Sequence, residues 1–380
     1  MKAQFTLFLA TIQLVCAIPA QKILFSDPLH PSDQVAFEDK VVPTSWPGID
    51  LDLNERRRIL LEDSTEPVWM TERDKIALKA SGISFFDVTE LRGPEASSFR
   101  VVDSKPFPKP NATEAVSQVI SLLSTEGPIK NLATFTSFRT RYYRSDTGKE
   151  SQKWLLGRIY EITSASSTRE DIDIAEFTHS WGQNSIDTWI TLKGDDHHLV
   201  SLVLHTGFGK IHLTHRLFPY FSAHQDSTNI WPFLPAPGAD DDGSGTVTIL
   251  EAYRALLESG FTPKNDIEFH WYSAEEGGLL GSQAVAADYH QREANVLAQI
   301  QFDMTAFVKK GTREEVGIIT DFVDPNLVDF VKKLVDRYLS IPFVETKCGK
   351  YDIPGFSFEH MLEFSKLAVA FAVELAAYKP

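Results

Sequence analysis

Cysteine is almost absent from this chain: two residues in 380, Cys16 and Cys348. That count excludes a disulfide-stapled scaffold and a cysteine-rich metal domain. Basic residues are also scarce, 37 against 52 acidic ones, giving a net charge of -15 and an isoelectric point near 5.2. The deficit argues against nucleic acid or an anionic membrane as partner. Beyond the leader, no apolar run approaches the ~20 residues that a membrane-spanning helix needs. What remains is an acidic chain of 43% apolar and 23% charged content, long enough for one large domain with extra material.

The first residues explain where such a chain goes. Met1-Lys2, the apolar stretch 5–15 and the small residues of Val15-Cys16-Ala17 read as a secretory signal peptide rather than a buried N-terminal helix. Cleavage falls after residue 17 or as late as Ala20, so the signal peptide is residues 1–17. Asn111-Ala112-Thr113 is a glycosylation acceptor that fits a secreted, extracellular protein. Residues 18–88 are proline-rich, polar and mixed in charge, with a short helix at most over 75–80. They read as a pro-segment, the alternative being a small N-terminal domain that stays attached. Cys16 departs with the leader, which leaves Cys348 unpaired.

The remaining residues, 89–380, alternate in period. Helical spacing is seen over 113–123, 152–162, 246–257, 282–290 and 357–377, and Asp324-Pro325 supplies an N-cap and a first-turn proline for a helix to about 339. Strands are expected over 188–192, 198–204, 267–271, 296–302 and 316–320. This alternation predicts an α/β fold, a mixed and largely parallel sheet flanked by helices on both faces. In such sheets ligands bind beyond the carboxyl ends of the strands.

Residues 222–303 carry the chemistry. Asp240-Asp241-Asp242 sets three carboxylates side by side, an arrangement that like-charge repulsion disfavours until a cation neutralises it. His224-Gln225-Asp226, Glu275-Glu276 and Asp303 add hard and borderline ligands from three further segments, which suits one or two divalent metals. Residues 240–251 also match parts of an EF-hand loop, but Pro232, Pro235 and Pro237 forbid the entering helix. A di-metal hydrolase fits better, with one carboxylate between two cations and a neighbouring free carboxylate as general base. Glu275-Glu276 can divide those duties, and Asp226 can fix the orientation of His224.

Four stretches then point to a family: Ser222-Ala223-His224-Gln225-Asp226-Ser227, Ala236-Pro237-Gly238-Ala239-Asp240-Asp241-Asp242-Gly243-Ser244-Gly245, Ser273-Ala274-Glu275-Glu276-Gly277-Gly278-Leu279-Leu280-Gly281-Ser282 and Gln301-Phe302-Asp303-Met304. They resemble the co-catalytic di-zinc aminopeptidases, most closely the secreted fungal type of leucine aminopeptidase, over residues 107 to about 348 and again in the last helix. The resemblance implies two Zn2+ per chain, with Asp241 bridging them, His224 and Asp303 completing one and Glu276 binding the other. It implies Glu275 as the general base toward a zinc-bridging hydroxide, with Asp226 beside it in the catalytic set as partner of His224. Asp242 would follow the bridging residue through a cis peptide, and Met304 would border the pocket for the substrate's first side chain. The expected activity is removal of an N-terminal residue, leucine or another apolar one, from peptides with a free N-terminus. The pro-segment would act as inhibitor and the enzyme as a monomer.

The chain departs from the family in two places. After Lys347-Cys348-Gly349 the family's Cys-Gly-Tyr-x-Cys-Ser-Asp-His and Ile-His-Thr segments are missing, and with them the second zinc's histidine. His360 matches a helical surface position and is not expected to be a ligand. Upstream, 200–203 resembles the strand that should enter His224, so 204–221 reads as an insert whose histidines His205, His212 and His215 are more simply unselected sequence than ligands. A mis-spliced transcript or gene model would produce both departures; a catalytically impaired relic of the fold would carry them as well. A di-zinc carboxypeptidase or deacetylase is a further alternative, which the Gly277-to-Ser282 context argues against. The splicing account predicts that a peptide map of the secreted protein lacks the tryptic peptides 211–216 and 351–366. Recovery of both as written would sink it.

Overall fold

The computed structural model describes residues 46–62, 64–91, 106–167, 169–181, 186–194, 203–206, 209–212, 218–309, 311–321, 323–347 and 354–376. The signal peptide, both cysteines and the junction after Gly349 lie outside the described residues.

Residues 46–91 carry more structure than their composition promised. Strand β1 (Arg56–Leu61) pairs antiparallel with β2 (Val68–Thr71) and β3 (Phe85–Asp87), in the order β2-β1-β3. Helix α1 (Glu72–Ala80) starts on a capping box between Thr71 and Asp74. The strands escaped notice because their charges are buried in pairs: the Arg57 and Lys75 side chains both donate to Asp87 Oδ2, at 2.8 and 2.9 Å. Arg144 ties this unit to the main domain by donating to Glu55 Oε2 at 2.6 Å.

Next come α2 (Thr113–Ile120), α3 (Glu126–Phe135) and α4 (Asp146–Ser164). The first and third fall where the apolar spacing put them. The second was unforeseen, because Gly127-Pro128 obscures a first turn that tolerates proline. The central sheet has the order β10-β8-β9-β5-β4, built from β4 (Ile172–Thr178), β5 (Ile186–Leu192), β8 (Phe218–His224), β9 (Ile267–Tyr272) and β10 (Val296–Gln301). Strands β10, β8 and β9 run parallel, while β5 and β4 complete the sheet antiparallel. The later helices are α5 (Gly245–Glu258), α6 (Leu280–Gln291), α7 (Pro325–Tyr338) and α8 (Phe358–Leu375). Asp324 caps α7 by accepting the N–H groups of Asn326 and Leu327 at 2.8 and 2.9 Å.

One expectation about strands is corrected. The strand entering the His-x-Asp turn is β8, not 200–203, so residues 218–221 belong to the sheet and not to an insert. Its seven residues are all buried, and that continuous burial hid it from a search for alternation. Of the strand expected over 198–204, residues 198–202 lie outside the described residues; β6 (Val203–Thr206) pairs, among the described residues, only with β7 (Gly209–His212) in a hairpin. On β9, Glu268 and His270 are both buried, held together at 3.0 Å under Tyr289.

Beyond the main sheet, β11 (Phe307–Lys309) pairs with β14 (Pro354–Phe356), and β12 (Val316–Ile319) pairs with β13 (Phe343–Thr346). Among the described residues β10 pairs only with β8, and a cavity of about 260 Å³ separates its end at Ile300–Phe302 from Val316–Ile319. His360 lines this cavity and is 3% exposed, 5.3 Å from the Phe364 ring. It is therefore buried, and the surface position expected for it is wrong.

The core lies between sheet and helices and centres on Phe221, fully buried with its ring 4.2 Å from Phe269 and 6.4 Å from Phe371. Phe221→Ala removes that contact from a site with no room to collapse. It should cost about 3–5 kcal/mol in urea unfolding; a cost below about 1 kcal/mol would mean that β8 is not packed this way.

Candidate metal centre

The carboxyl ends of the three parallel strands gather the polar residues. His224 is the last residue of β8, Glu275 and Glu276 follow β9, and Asp303 follows β10. Among the described residues, three of the four non-glycine residues with positive φ flank these positions: Ala274 before Glu275, Leu279 at the end of its loop and Met304 after Asp303. Left-handed backbone of that kind costs on the order of 1 kcal/mol per residue and persists where surrounding contacts impose it.

The triple aspartate divides into three roles. Asp240 Oδ1 accepts the Ala306 N–H and the Ser244 hydroxyl, each at 3.0 Å. Asp242 is fully buried; its Oδ2 accepts the His224 N–H at 3.0 Å, and its Oδ1 the Gly245 N–H at 2.8 Å and the Met304 N–H at 3.3 Å. A side chain at Gly245 would put its Cβ 2.3 Å from Asp242 Oδ1 and from the Phe302 carbonyl, so only glycine fits. Both outer acids are thus occupied with backbone. Asp241 alone turns toward the imidazole, 3.0 Å from His224 Nε2, and the Asp241–Asp242 peptide is cis, as the resemblance implied.

Asp226 does more than the sequence suggested. Its Oδ1 lies 3.3 Å from His224 Nδ1 and accepts the Glu275 N–H at 3.0 Å, while Oδ2 accepts the Glu276 N–H at 3.2 Å. One carboxylate therefore fixes the histidine and the paired glutamates together. Arg141, missed in the sequence because its partners are all main chain, joins the same loops from behind. It is buried, donates to the carbonyls of Gln225 and Gly238 at 2.9 Å each and also to that of Pro237, and lies over the Phe135 ring.

Around His224 Nε2, Asp303 Oδ1 stands at 3.8 Å and Glu275 Oε2 at 3.9 Å. Burial alone would keep this imidazole neutral, yet Glu275, Asp303, Asp226 and Asp241 together hold its pKa well above the ordinary histidine range. Burial drives Glu275 well above the carboxylate range, with Glu276, Asp303 and Asp241 adding to the effect. Burial likewise pushes Asp303 up to about 7 and Asp240 up to about 6.

These residues fit a metal. Glu275 Oε1 and Asp303 Oδ1 are buried without a hydrogen-bond partner, the condition that a cation relieves. His224, Asp242 and Asp303 offer atoms within 4.8 Å of one another. Of the neighbouring aspartates, Asp242 has its carboxylate oxygens committed to three backbone donors, whereas Asp241 faces His224 Nε2 at 3.0 Å. Glu276 departs from this pattern. Its Oε2 accepts from Lys79 of α1 at 2.6 Å, and its carbonyl accepts from the same ammonium at 3.0 Å. Lys79 is 197 residues away in sequence, and no local signal could have marked it.

The raised pKa values have a consequence for the metal-free protein. Asp240, Asp303 and Glu275 stay protonated in the fold at pH values where the unfolded chain has ionised them. All three therefore favour the fold at low pH and lose that contribution as pH rises. Chelator-treated protein should unfold at lower temperature at about pH 8 than at about pH 5, and zinc should restore much of the loss at the higher pH. A melting temperature that rises over this interval would contradict these directions.

Comparison with known proteins places the chain. Residues 214–348 match peptidase family M28. Leucine aminopeptidase 1 of Neurospora crassa is 40% identical over 353 residues, covering 81% of this chain and 83% of the relative. Leucine aminopeptidase 1 of Trichoderma harzianum is 36% identical over 419 residues, taking in 97% of this chain and 96% of its own. That span exceeds the 380 residues here, so the relative carries stretches without a counterpart in this chain. Among solved structures, the LapA aminopeptidase of Legionella pneumophila superposes with a TM-score of 0.68 at 24% identity, over 83% of this chain and 92% of its own. LapB of the same organism gives 0.70 at 21% identity, over 85% and 100%; both likenesses are of fold. Set beside the fungal relatives, whose identity extends over most of the sequence, the chain belongs to peptidase family M28, and the enzyme is a zinc aminopeptidase of the leucine aminopeptidase type.

Proposed function

We propose that the chain is a secreted two-zinc aminopeptidase that removes an apolar residue, leucine foremost, from the N-terminus of peptides. The observation that carries this reading is the convergence of Asp241, Asp303 and Glu275 on His224 Nε2 at 3.0 to 3.9 Å. Zinc bound there supplies Lewis acidity toward the scissile carbonyl and lowers the pKa of water. Asp241, His224, Asp303 and Glu276 are the residues that would hold the two ions.

Glu275 is the general base. Its carboxylate takes a proton from the attacking water and returns it to the departing amine, and burial raises its pKa toward the working range. Asp226 holds His224 and the Glu275 backbone in register for that exchange. Met304 lines the cavity of about 260 Å³ beside Asp303, and Phe307, Ile318 and Leu367 give that cavity apolar walls for the first side chain. Asn111 is exposed, which suits a glycosylated, secreted monomer. Lys79 and Asp87 bond to the loop bearing Glu275 and Glu276, which suits an inhibitory pro-segment.

A second reading has its own support. The described residues bring a single histidine to the cluster, the relatives contain stretches that this chain lacks, and among the described residues no strand fills the cavity between β10 and β12. The second ion then has a poor ligand set, and the protein as written is impaired. Zinc per chain and hydrolysis of leucine p-nitroanilide decide between them. The active reading expects chelator-sensitive hydrolysis that falls about 10²–10⁴-fold in Glu275→Ala. Near-zero activity in zinc-replete protein, unchanged by that substitution, would establish the impaired reading.

A further inference from the structure

We infer that the Lys79 ammonium occupies the second cation's place on Glu276, so that the intact chain holds a metal-plus-lysine centre and must withdraw Lys79 before a second zinc binds well. This rests on the reading of Glu276 as a zinc ligand and adds to it a specific competitor. The contact is built from both sides. Lys79 lies in the last turn of α1, its side chain 18% exposed, and it donates to the Glu276 carboxylate and carbonyl together.

The rest of the segment fixes that reach. Lys75, one turn earlier in α1, donates to Asp87 Oδ2 at 2.9 Å, and the Asp87 N–H donates to the Gly278 carbonyl at 3.0 Å. Gln283 closes the joint by donating to the Gly278 and Asp87 carbonyls at 2.8 and 3.2 Å. Gly278, at φ +104°, would place a Cβ 2.7 Å from the Asp87 nitrogen. The loop bearing Glu275 and Glu276 is therefore shaped to receive residues 79–87 and aims Lys79 at one carboxylate.

The chemistry makes the two cations rivals. Glu276, Glu275 and Asp241 share a low-dielectric site in which each carboxylate destabilises the others. One ammonium relieves that repulsion. A zinc bound to the same carboxylate at ~2.0–2.2 Å would face the ammonium at close range, with little water to screen them. By linkage, whatever weakens the lysine contact strengthens the second zinc, and a second zinc loosens the lysine by the same factor.

The test is zinc binding to the full chain, followed by calorimetry and by metal analysis, in wild type, Lys79→Gln and Lys79→Arg. The inference expects the second zinc to bind at least about tenfold more tightly in Lys79→Gln. The first zinc should be unchanged, and Lys79→Arg should resemble wild type because it keeps the charge. Equal second-site affinity in all three proteins would overturn the inference while leaving a two-zinc centre standing. A second zinc that never binds in any of them would overturn both. If Lys79→Gln does not fold, acylation of Lys79 in wild type gives the answer. Its rate should rise at least about tenfold as the second zinc loads, and a rate indifferent to zinc would refute the competition.

Discussion

The structure depends on a crowd of carboxylates held together at the ends of parallel strands, in a place where like charges repel strongly. Asp226, Asp240 and Asp242 make that tolerable by accepting backbone N–H groups, which spreads their charge over fixed dipoles and ties the loops after β8, β9 and β10 into one unit. Asp241, Glu275, Glu276 and Asp303 are left with capacity to spare. Their shared partners, His224 on one side and Lys79 on the other, mark where positive charge is required. The metal-binding function is thus a consequence of how the loops are supported, and the support is as extensive as the ligand set itself.

That support explains the local sequence. Gly245 exists because Asp242 and the Phe302 carbonyl press against the start of α5. Asp226 sits two residues after His224 because from there one carboxylate reaches both the imidazole and the main chain after β9. Arg141 places a guanidinium among three acidic loops yet spends its donors on carbonyls, and its burial lowers its pKa to about 10. The aromatic core below, around Phe221, Phe269 and Phe371, keeps the strand ends level, so shifts there propagate to the ligands.

Much of this was legible in the sequence, and the failures have physical causes. Strands β9 and β10 and helices α4 to α8 were found because their apolar spacing is regular and their ends carry caps such as Asp324-Pro325. The segments that converge at the strand ends were legible because adjacent carboxylates are rarely placed together without a cation. Strand β8 was misplaced upstream, since a strand buried on both faces loses the period-two signal. His360 was read as a surface residue from its place in the family's last helix, whereas here it faces Phe364 and the cavity beside β10. The fold of residues 46–91 was hidden by Arg57, Lys75 and Asp87, whose charges are mutually buried. Lys79 on Glu276 is a contact between distant segments, beyond the reach of any spacing rule.

The central claim is that Asp241, rather than either neighbouring aspartate, anchors zinc together with His224 and Asp303. Anomalous diffraction at the zinc edge from zinc-loaded crystals tests it most directly. The account predicts a peak at ~2.0–2.2 Å from an Asp241 oxygen, His224 Nε2 and an Asp303 oxygen, with Asp242 still bonded to the backbone. A peak coordinated by Asp242 in place of Asp241, or no peak at the ends of β8 and β10, would contradict it.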